Sequence, residues 1–279
     1  VAAVTPELCI VVWCWGAYPT DGLAALMARC ARYFPPHAFV VLTEPGRRDY
    51  IYDMLLTLHM RMASAEHKPA RVLAIAPRVP PHMWGMVDPA RPRVWQSFPP
   101  CYVRLWAWSR AFAITLRMHE LPERVLQLDM DCAPVADCEH LLRGRYETAP
   151  VVLMSGQCRP DASRWHRTFS TYSGGMMLLT PGSVPDLWAD FTAELREHGR
   201  PQNRRPGSDQ VLISQYLGKG VPTWHHTAGI WRARELPVYR RGTLETTALP
   251  DTAALVQFSA GCQPWTDKAR RLHPWLVTR

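Results

Sequence analysis

Two carboxylates, Asp129 and Asp131, sit inside the run V-L-Q-L-D-M-D-C-A-P-V-A from Val125 to Ala136. A short apolar stretch, Val125 to Leu128, leads straight into them and predicts a buried strand that ends at a pair of acids. Side chains at i and i+2 of a strand point to the same face, so both carboxylates can reach one point. Like charges held together beside an apolar run repel, and each is costly to desolvate. A divalent cation would remove both costs. All-oxygen ligation suits Mg2+ or Mn2+, which carboxylates and substrate phosphates hold between them. Pro134 has no N–H to give a ladder, so regular pairing is expected to stop there. An isolated D-x-D is a short signal, however. The same two acids could do no more than bond backbone N–H groups in a strand-to-loop turn.

The elements that must position these acids follow from periodicity. Leu8 to Trp15 is a continuous apolar run and reads as a buried strand. Leu23 to Tyr33 carries apolar residues at helical spacing, with Asp21 as the expected N-cap and Pro35-Pro36 as the stop. Ala38 to Leu42 reads as a second buried strand. The chain therefore opens β-α-β, the unit of a parallel sheet. Ligands bind in the crevice past the carboxyl ends of such strands, where Trp13 to Asp21 would lie. Tyr50 to Met62 reads as a helix and Arg71 to Ala76 as a short strand. Pro77 to Pro100, with seven prolines and no periodicity, reads as a lid or acceptor-side loop or as a solvated excursion. Tyr102 to Glu120 reads as one helix, Asp137 to Leu142 as a short helix and Pro150 to Met154 as a strand. In Thr171 to Thr180 a glycine pair, Gly174-Gly175, enters an apolar strand, where it permits close approach by a ligand or a second strand. Val184 to His198 and Asp209 to Leu217 read as helices, with Ser208 as N-cap of the latter. Short strands and loops follow, ending in a basic tail. No repeat or linker divides the chain, which is expected to form one domain over 1–279.

Composition bounds the partners. A 279-residue chain, 47% apolar and 20% charged, can bury a full core without staples. The net charge is +8, and of the 32 basic residues only Lys68, Lys219 and Lys268 are lysines. Arginine suits bidentate grip on phosphate or carboxylate. A basic surface favours acidic partners such as nucleotide, nucleic acid or a membrane surface. The eight cysteines form no C-x-x-C and no zinc-finger spacing, which fits a reducing cytosol and a cytoplasmic protein. No run is long enough for a membrane span, and Val1 suggests that the natural start lies upstream.

Four segments together resemble one family. They are I-V-V-W-C-W-G-A-Y (Ile10 to Tyr18), Y-V-R-L-W-A-W (Tyr102 to Trp108), L-Q-L-D-M-D (Leu126 to Asp131) and P-G-S-D-Q-V-L-I (Pro206 to Ile213). In this order they resemble nucleotide-sugar glycosyltransferases of the A-type fold, particularly the glycogenin and bacterial galactosyltransferase group, family eight. They also look like a looser set of bacterial and phage proteins. Two weaker matches, Y-S-G-G-M-M-L-L-T-P and Q-F-S-A-G-C-Q-P-W, extend the resemblance to Trp265.

The resemblance implies an α/β fold with a Rossmann-like mixed sheet flanked by helices. The nucleotide-sugar-binding half would be 1–142 and the acceptor side 143–279. It implies metal-dependent, retaining transfer of a sugar from a nucleotide-sugar donor, a UDP-sugar such as UDP-glucose, to an acceptor hydroxyl. Asp129, Asp131 and Gln257 would hold Mn2+ or Mg2+. Trp13, Trp15, Gly16, Tyr18, Arg104, Asp129, Ser173, Gly174 and Gly175 would contact the donor, and Asp209 and Gln210 would be catalytic. Trp13, Trp15 and Tyr18 are candidates to stack on the nucleobase, with plain core packing as the alternative for a tryptophan. Asp209 could instead be a helix cap. The family pattern H-x-x-G-x-x-K-P-W has Gln257 at its His and Gln263 at its Lys, which leaves His225 or His226 as substitute ligands.

Three readings of the partner stay open. Arginines interleave with aromatics at Arg91 to Trp95, Arg159 to Arg167 and Arg232 to Arg241, which suits a hydroxymethylated base in DNA as acceptor in a phage-type enzyme. A cell-surface or lipid-linked glycan is the competing acceptor. The two glutamines also admit a catalytically inactive module that binds nucleotide-sugar or nucleic acid. Composition says nothing of the oligomeric state.

Overall fold

The computed structural model describes residues 7–15, 19–62, 68–79, 100–155, 172–198, 209–218, 220–241, 244–258 and 262–278. β1 (Leu8–Cys14), α1 (Thr20–Tyr33) and β2 (His37–Thr43) form the expected β-α-β unit, with β1 and β2 parallel. α1 starts after Pro19, which makes no side-chain cap. Asp21 is not the cap: it lies inside the first turn, where a carboxylate opposes the positive end of the helix dipole. α2 (Arg48–Arg61) and β3 (Arg71–Ile75) extend the parallel half.

A single helix from Tyr102 to Glu120 does not form. A 3-10 stretch, Pro100–Trp108, gives way to α3 (Arg110–Met118) at Ser109. The Ser109 hydroxyl accepts the Phe112 N–H at 3.0 Å and donates to the Trp106 carbonyl at 2.7 Å. Its side chain thus satisfies backbone groups at the break and begins a new helix inside an apolar run.

β4 (Val125–Leu128) runs parallel to β1. β6 (Val151–Ser155), β7 (Tyr172–Leu179) and β8 (Thr223–Trp224) complete a seven-stranded sheet in the order β3-β2-β1-β4-β7-β6-β8. β7 is antiparallel to both β4 and β6, so the sheet is mixed. Alternation along β1 feeds two cores. Cys9, Val11 and Trp13 face the side covered by the 3-10 stretch, α3, α4 (Leu187–His198) and α5 (Asp209–Leu217). Leu8, Ile10 and Val12 face the side covered by α1 and α2. A strand buried on both faces reads as an unbroken apolar run, which is why the sequence of β1 shows no alternation. α4 begins later than its apolar pattern because Asp186 Oδ1 accepts the Ala189 N–H at 2.9 Å and caps it.

A second sheet of three strands runs β5 (Cys132–Pro134), β12 (Leu255–Gln257), β9 (Ile230–Arg232). Pro134 does not end pairing before this sheet. It pairs with Leu255 as the last residue of an edge strand, where its missing N–H costs no ladder bond. α6 (Asp267–Leu272) and α7 (Trp275–Thr278) supply Ala269 and Trp275 to a third apolar cluster with Val256 and Phe258, and the hairpin of β10 (Val238–Arg241) and β11 (Leu244–Thr247) joins it through Thr247, which bonds His273 and Trp275. Most of the predicted Pro77 to Pro100 loop lies outside the described residues. Cys9, Cys14, Cys30, Cys132, Cys138 and Cys262 are all free thiols. Among the described residues no helix is long and apolar enough to cross a membrane.

Candidate active site

The two sheets meet where β4 ends. The Asp129 N–H still donates to the Gly175 carbonyl of β7 at 2.9 Å, while the Phe258 N–H after β12 donates to the Asp131 carbonyl at 2.9 Å. Asp129 and Asp131 therefore lie in a turn that carries the chain from the large sheet into the small one, closed by a Cys132 N–H to Asp129 carbonyl bond at 3.0 Å. They are not successive same-face residues of one strand, as the spacing predicted. They converge because each is tied to a different sheet.

Both acids line one pocket of about 170 Å3, with Ser173, Gln210, Arg232, Ala233, Arg234, Gln257 and Phe258. The register of the small sheet sets Gln257 opposite both Cys132 and Arg232. It thus places Asp131, Gln257 and Arg232 side by side at one end.

Arg104 organises the acids from behind. Its Nη1 donates to Asp129 Oδ1 at 2.6 Å and to the Gly174 carbonyl at 2.8 Å, and its Nε pairs with Asp209 Oδ2 at 2.9 Å. Trp13 Nε1 donates to the same Asp129 oxygen at 3.0 Å, and the Arg104 guanidinium lies 5.2 Å from the Trp13 ring centre. Arg104 is 5% exposed. It is a buried clamp on two carboxylates, so a contact with donor phosphate would have to compete with these bonds.

Trp13 and Trp15 are each 5% exposed and belong to the same core cluster. Neither shows a ring face for stacking on a nucleobase. Trp13 orients Asp129 instead.

The glycine pair serves the protein's own side chains. A Cβ on Gly174 would stand 2.9 Å from Arg104 Nη1 and 3.0 Å from Asp209 Oδ2. A Cβ on Gly175 would overlap the Gln257 amide nitrogen and stand 2.5 Å from its Cδ. Ser173 Oγ accepts the Gly175 N–H at 3.3 Å.

Two carboxyls titrate abnormally. Desolvation, then repulsion from Asp129, holds the Asp131 carboxyl well above the ordinary range, with Arg104 opposing. Asp131 Oδ1 is shielded from solvent and has no hydrogen-bond partner among the described residues. Burial raises Asp209 from 3.8 to about 6, outweighing the attraction of Arg104. Asp209 is 2% exposed and stands behind the pocket, while its neighbour Gln210 lines it.

Other expectations fall away from the pocket. Gln263 does not line it. Neither does His225, which bonds Thr223 at 2.9 Å, nor His226, which bonds Glu235 at 2.8 Å and stacks on Trp231. Of the three arginine-aromatic stretches, only Arg232 to Arg241 is described. There Arg232 bonds the Ser155 carbonyl at 2.6 Å and Arg240 pairs with Glu245 at 2.8 Å, so two of its charges are met within the protein. Gly16, Tyr18 and Ser208 lie outside the described residues. Sequence reasoning missed Arg234 and Phe258 as pocket residues. Arg234 falls in the basic stretch Arg232 to Arg241, and Phe258 carries no local signal; only the pairing of β9 with β12 brings both to the acids.

No family model matches the sequence, and no curated protein does either. Solved structures do match. A crystal structure of the glycosyltransferase GlyE from Streptococcus pneumoniae covers 93% of this chain with a TM-score of 0.54 at 10% identity, and this chain spans only 57% of its length. The galactosyltransferase LgtC, crystallised with donor and acceptor sugar analogues, covers 97% of this chain with a TM-score of 0.56 at 12% identity, over 95% of its own length. At such identities the likeness shows the fold: this chain has the mixed α/β fold of these glycosyltransferases.

Proposed function

We propose that this protein is a glycosyltransferase that moves a sugar from a nucleotide-sugar, a UDP-sugar in the first instance, to an acceptor hydroxyl with the help of a divalent cation. One observation carries the reading. Asp131 lines the same pocket as Asp129 and Gln257, at the junction of two sheets, and keeps a shielded carboxylate oxygen that has no hydrogen-bond partner among the described residues. A desolvated carboxylate beside another is costly until a cation arrives. Asp129 and Asp131 with a neutral amide oxygen form a hard-oxygen set suited to Mg2+ or Mn2+, leaving positions for substrate phosphates.

A cation held there supplies Lewis-acid charge to the departing diphosphate. In the transfer, the bond between the anomeric carbon and a diphosphate oxygen breaks and its electron pair leaves on the diphosphate. The acceptor oxygen forms the new bond and gives its proton to the departing diphosphate. Arg104 and Trp13 keep Asp129 in one orientation. Asp209 acts through Arg104 as a positioning residue, and Gln210 and Ser173 offer hydrogen bonds to sugar hydroxyls from the pocket wall. Retention of configuration and the division into a donor side (1–142) and an acceptor side (143–279) of one domain belong to the same proposal.

The test is a thermal-shift panel of nucleotide-sugars with and without Mn2+, on wild type and Asp131→Ala. A Mn2+-dependent rise with one donor, lost in the variant, supports the reading and names the donor. No rise with any donor overturns it. Mn2+-dependent donor hydrolysis without acceptor would exclude an inactive binding module. Retention on DNA that fades with added salt would favour a DNA acceptor over a glycan.

A further inference from the structure

The pocket carries both signs of charge, and they are not neutralised in the same way. Asp129 is paired with Arg104. Arg232 is braced by the Ser155 carbonyl at 2.6 Å and by Glu235 at 3.5 Å. Glu235 also pairs with His226 at 2.8 Å, and it forms no ion pair with its neighbour Arg234. Arg234 lines the pocket, is exposed and, among the described residues, makes no hydrogen bond or ion pair.

An arginine and two carboxylates thus border one cavity without closing on each other. A guanidinium within reach of a carboxylate would ordinarily form a forked pair with it. The separation leaves room for a ligand that presents negative charge to Arg234 and, through a cation, to Asp129 and Asp131. Gln257 at that end is neutral, and Arg232 beside it is engaged by Ser155 and Glu235. Arg234 rides on a one-turn 3-10 segment, Ala233–Glu235, across which the Arg232 N–H donates to Glu235 Oε2 at 3.3 Å.

We infer that Arg234 is the residue that grips the diphosphate of the nucleotide donor, opposite the cation-binding carboxylates. The inference rests on the sugar-transfer reading and assigns its anion subsite. A planar fork suits two phosphate oxygens at once, and the grip would strengthen as the leaving diphosphate gains charge.

Binding, not turnover, tests it. Calorimetry would follow inorganic pyrophosphate, UDP and uridine with Mn2+ present, on wild type, Arg234→Ala and Arg234→Lys. Because Arg234 is exposed and makes no hydrogen bond or ion pair among the described residues, both variants should melt as wild type does without ligand. We expect Arg234→Ala to weaken pyrophosphate and UDP by about 10- to 100-fold, the loss of a charge-assisted pair, and to leave uridine unchanged. Lysine should restore part of the loss. If wild type binds UDP and Arg234→Ala binds it equally well, the assignment is wrong and the sugar-transfer reading stands. If wild type binds neither pyrophosphate nor any nucleoside diphosphate across UDP, GDP, CDP and ADP, both fall together.

Discussion

Gly175→Ala isolates the contact that seats Gln257. Gly175 is a strand residue and needs no left-handed backbone, so alanine is tolerated by the chain itself. The added methyl would overlap the Gln257 amide nitrogen and stand 2.5 Å from Cδ. Contacts below 3.0 Å are not sustained, so Gln257 must swing out or the strands must part. Overpacking of this kind costs about 1–3 kcal/mol. For 279 residues, at about 2.1 cal/mol/K per residue, that lowers Tm by about 2–5 °C. Gln257→Ala removes the obstacle. In that background Gly175→Ala should become neutral or stabilising by about 0.4–1 kcal/mol, because alanine restricts the unfolded chain. Thermal melts of the wild type, both single variants and the double variant close the cycle. A coupling of at least about 1 kcal/mol is expected for residues in contact. Melting losses that simply add would mean that Gly175 makes no room for Gln257, and the account of how the glycine pair shapes the pocket would be refuted.

Asp131→Asn should raise Tm in the presence of a chelator at neutral pH, because it removes a desolvated charge beside Asp129, and should abolish the Mn2+-dependent rise; a variant that keeps that rise would show that Asp131 is no ligand. Asp209 holds its proton longer folded than unfolded, so its contribution to stability falls as pH rises from 3.8 to about 6, by about 3 kcal/mol in all. The Tm of Asp209→Asn relative to wild type should therefore climb by about 5 °C across that window, and a constant difference would contradict the raised carboxyl. Gln127 on β4 is 0% exposed, and neither its amide nitrogen nor its amide oxygen has a partner among the described residues. Gln127→Met keeps the volume and drops the unsatisfied groups, a gain of about 1–3 kcal/mol read as a higher Tm; a lower Tm would mean that the amide is satisfied in solution.

What the sequence alone determined is local. Strands buried on both faces, such as β1 and β2, announce themselves as unbroken apolar runs, and α5 keeps the bounds read from the sequence, Asp209–Leu217. The acid pair was legible because it terminates such a run, and the glycine pair because glycine inside a strand signals close approach. The exceptions are also local in origin. Ser109 broke a predicted helix because a side-chain hydroxyl competes for backbone groups, and Pro134 joined a strand because it fell on an edge.

Only the tertiary structure decided what meets what. Trp13 reaches Asp129 across 116 residues and Arg104 reaches Gly174 across 70. Strand order puts β4 between β1 and β7, and so sets Trp13, Asp129 and the glycine pair together. The register of β12 with β5 and β9 then delivers Gln257 and the turn bearing Arg234 to the same acids. Periodicity reports which face of an element is buried. It carries no information on the partner across the sheet, because any apolar strand satisfies the same pattern, and the choice among partners rests on packing and hydrogen-bond register that exist only in the folded chain.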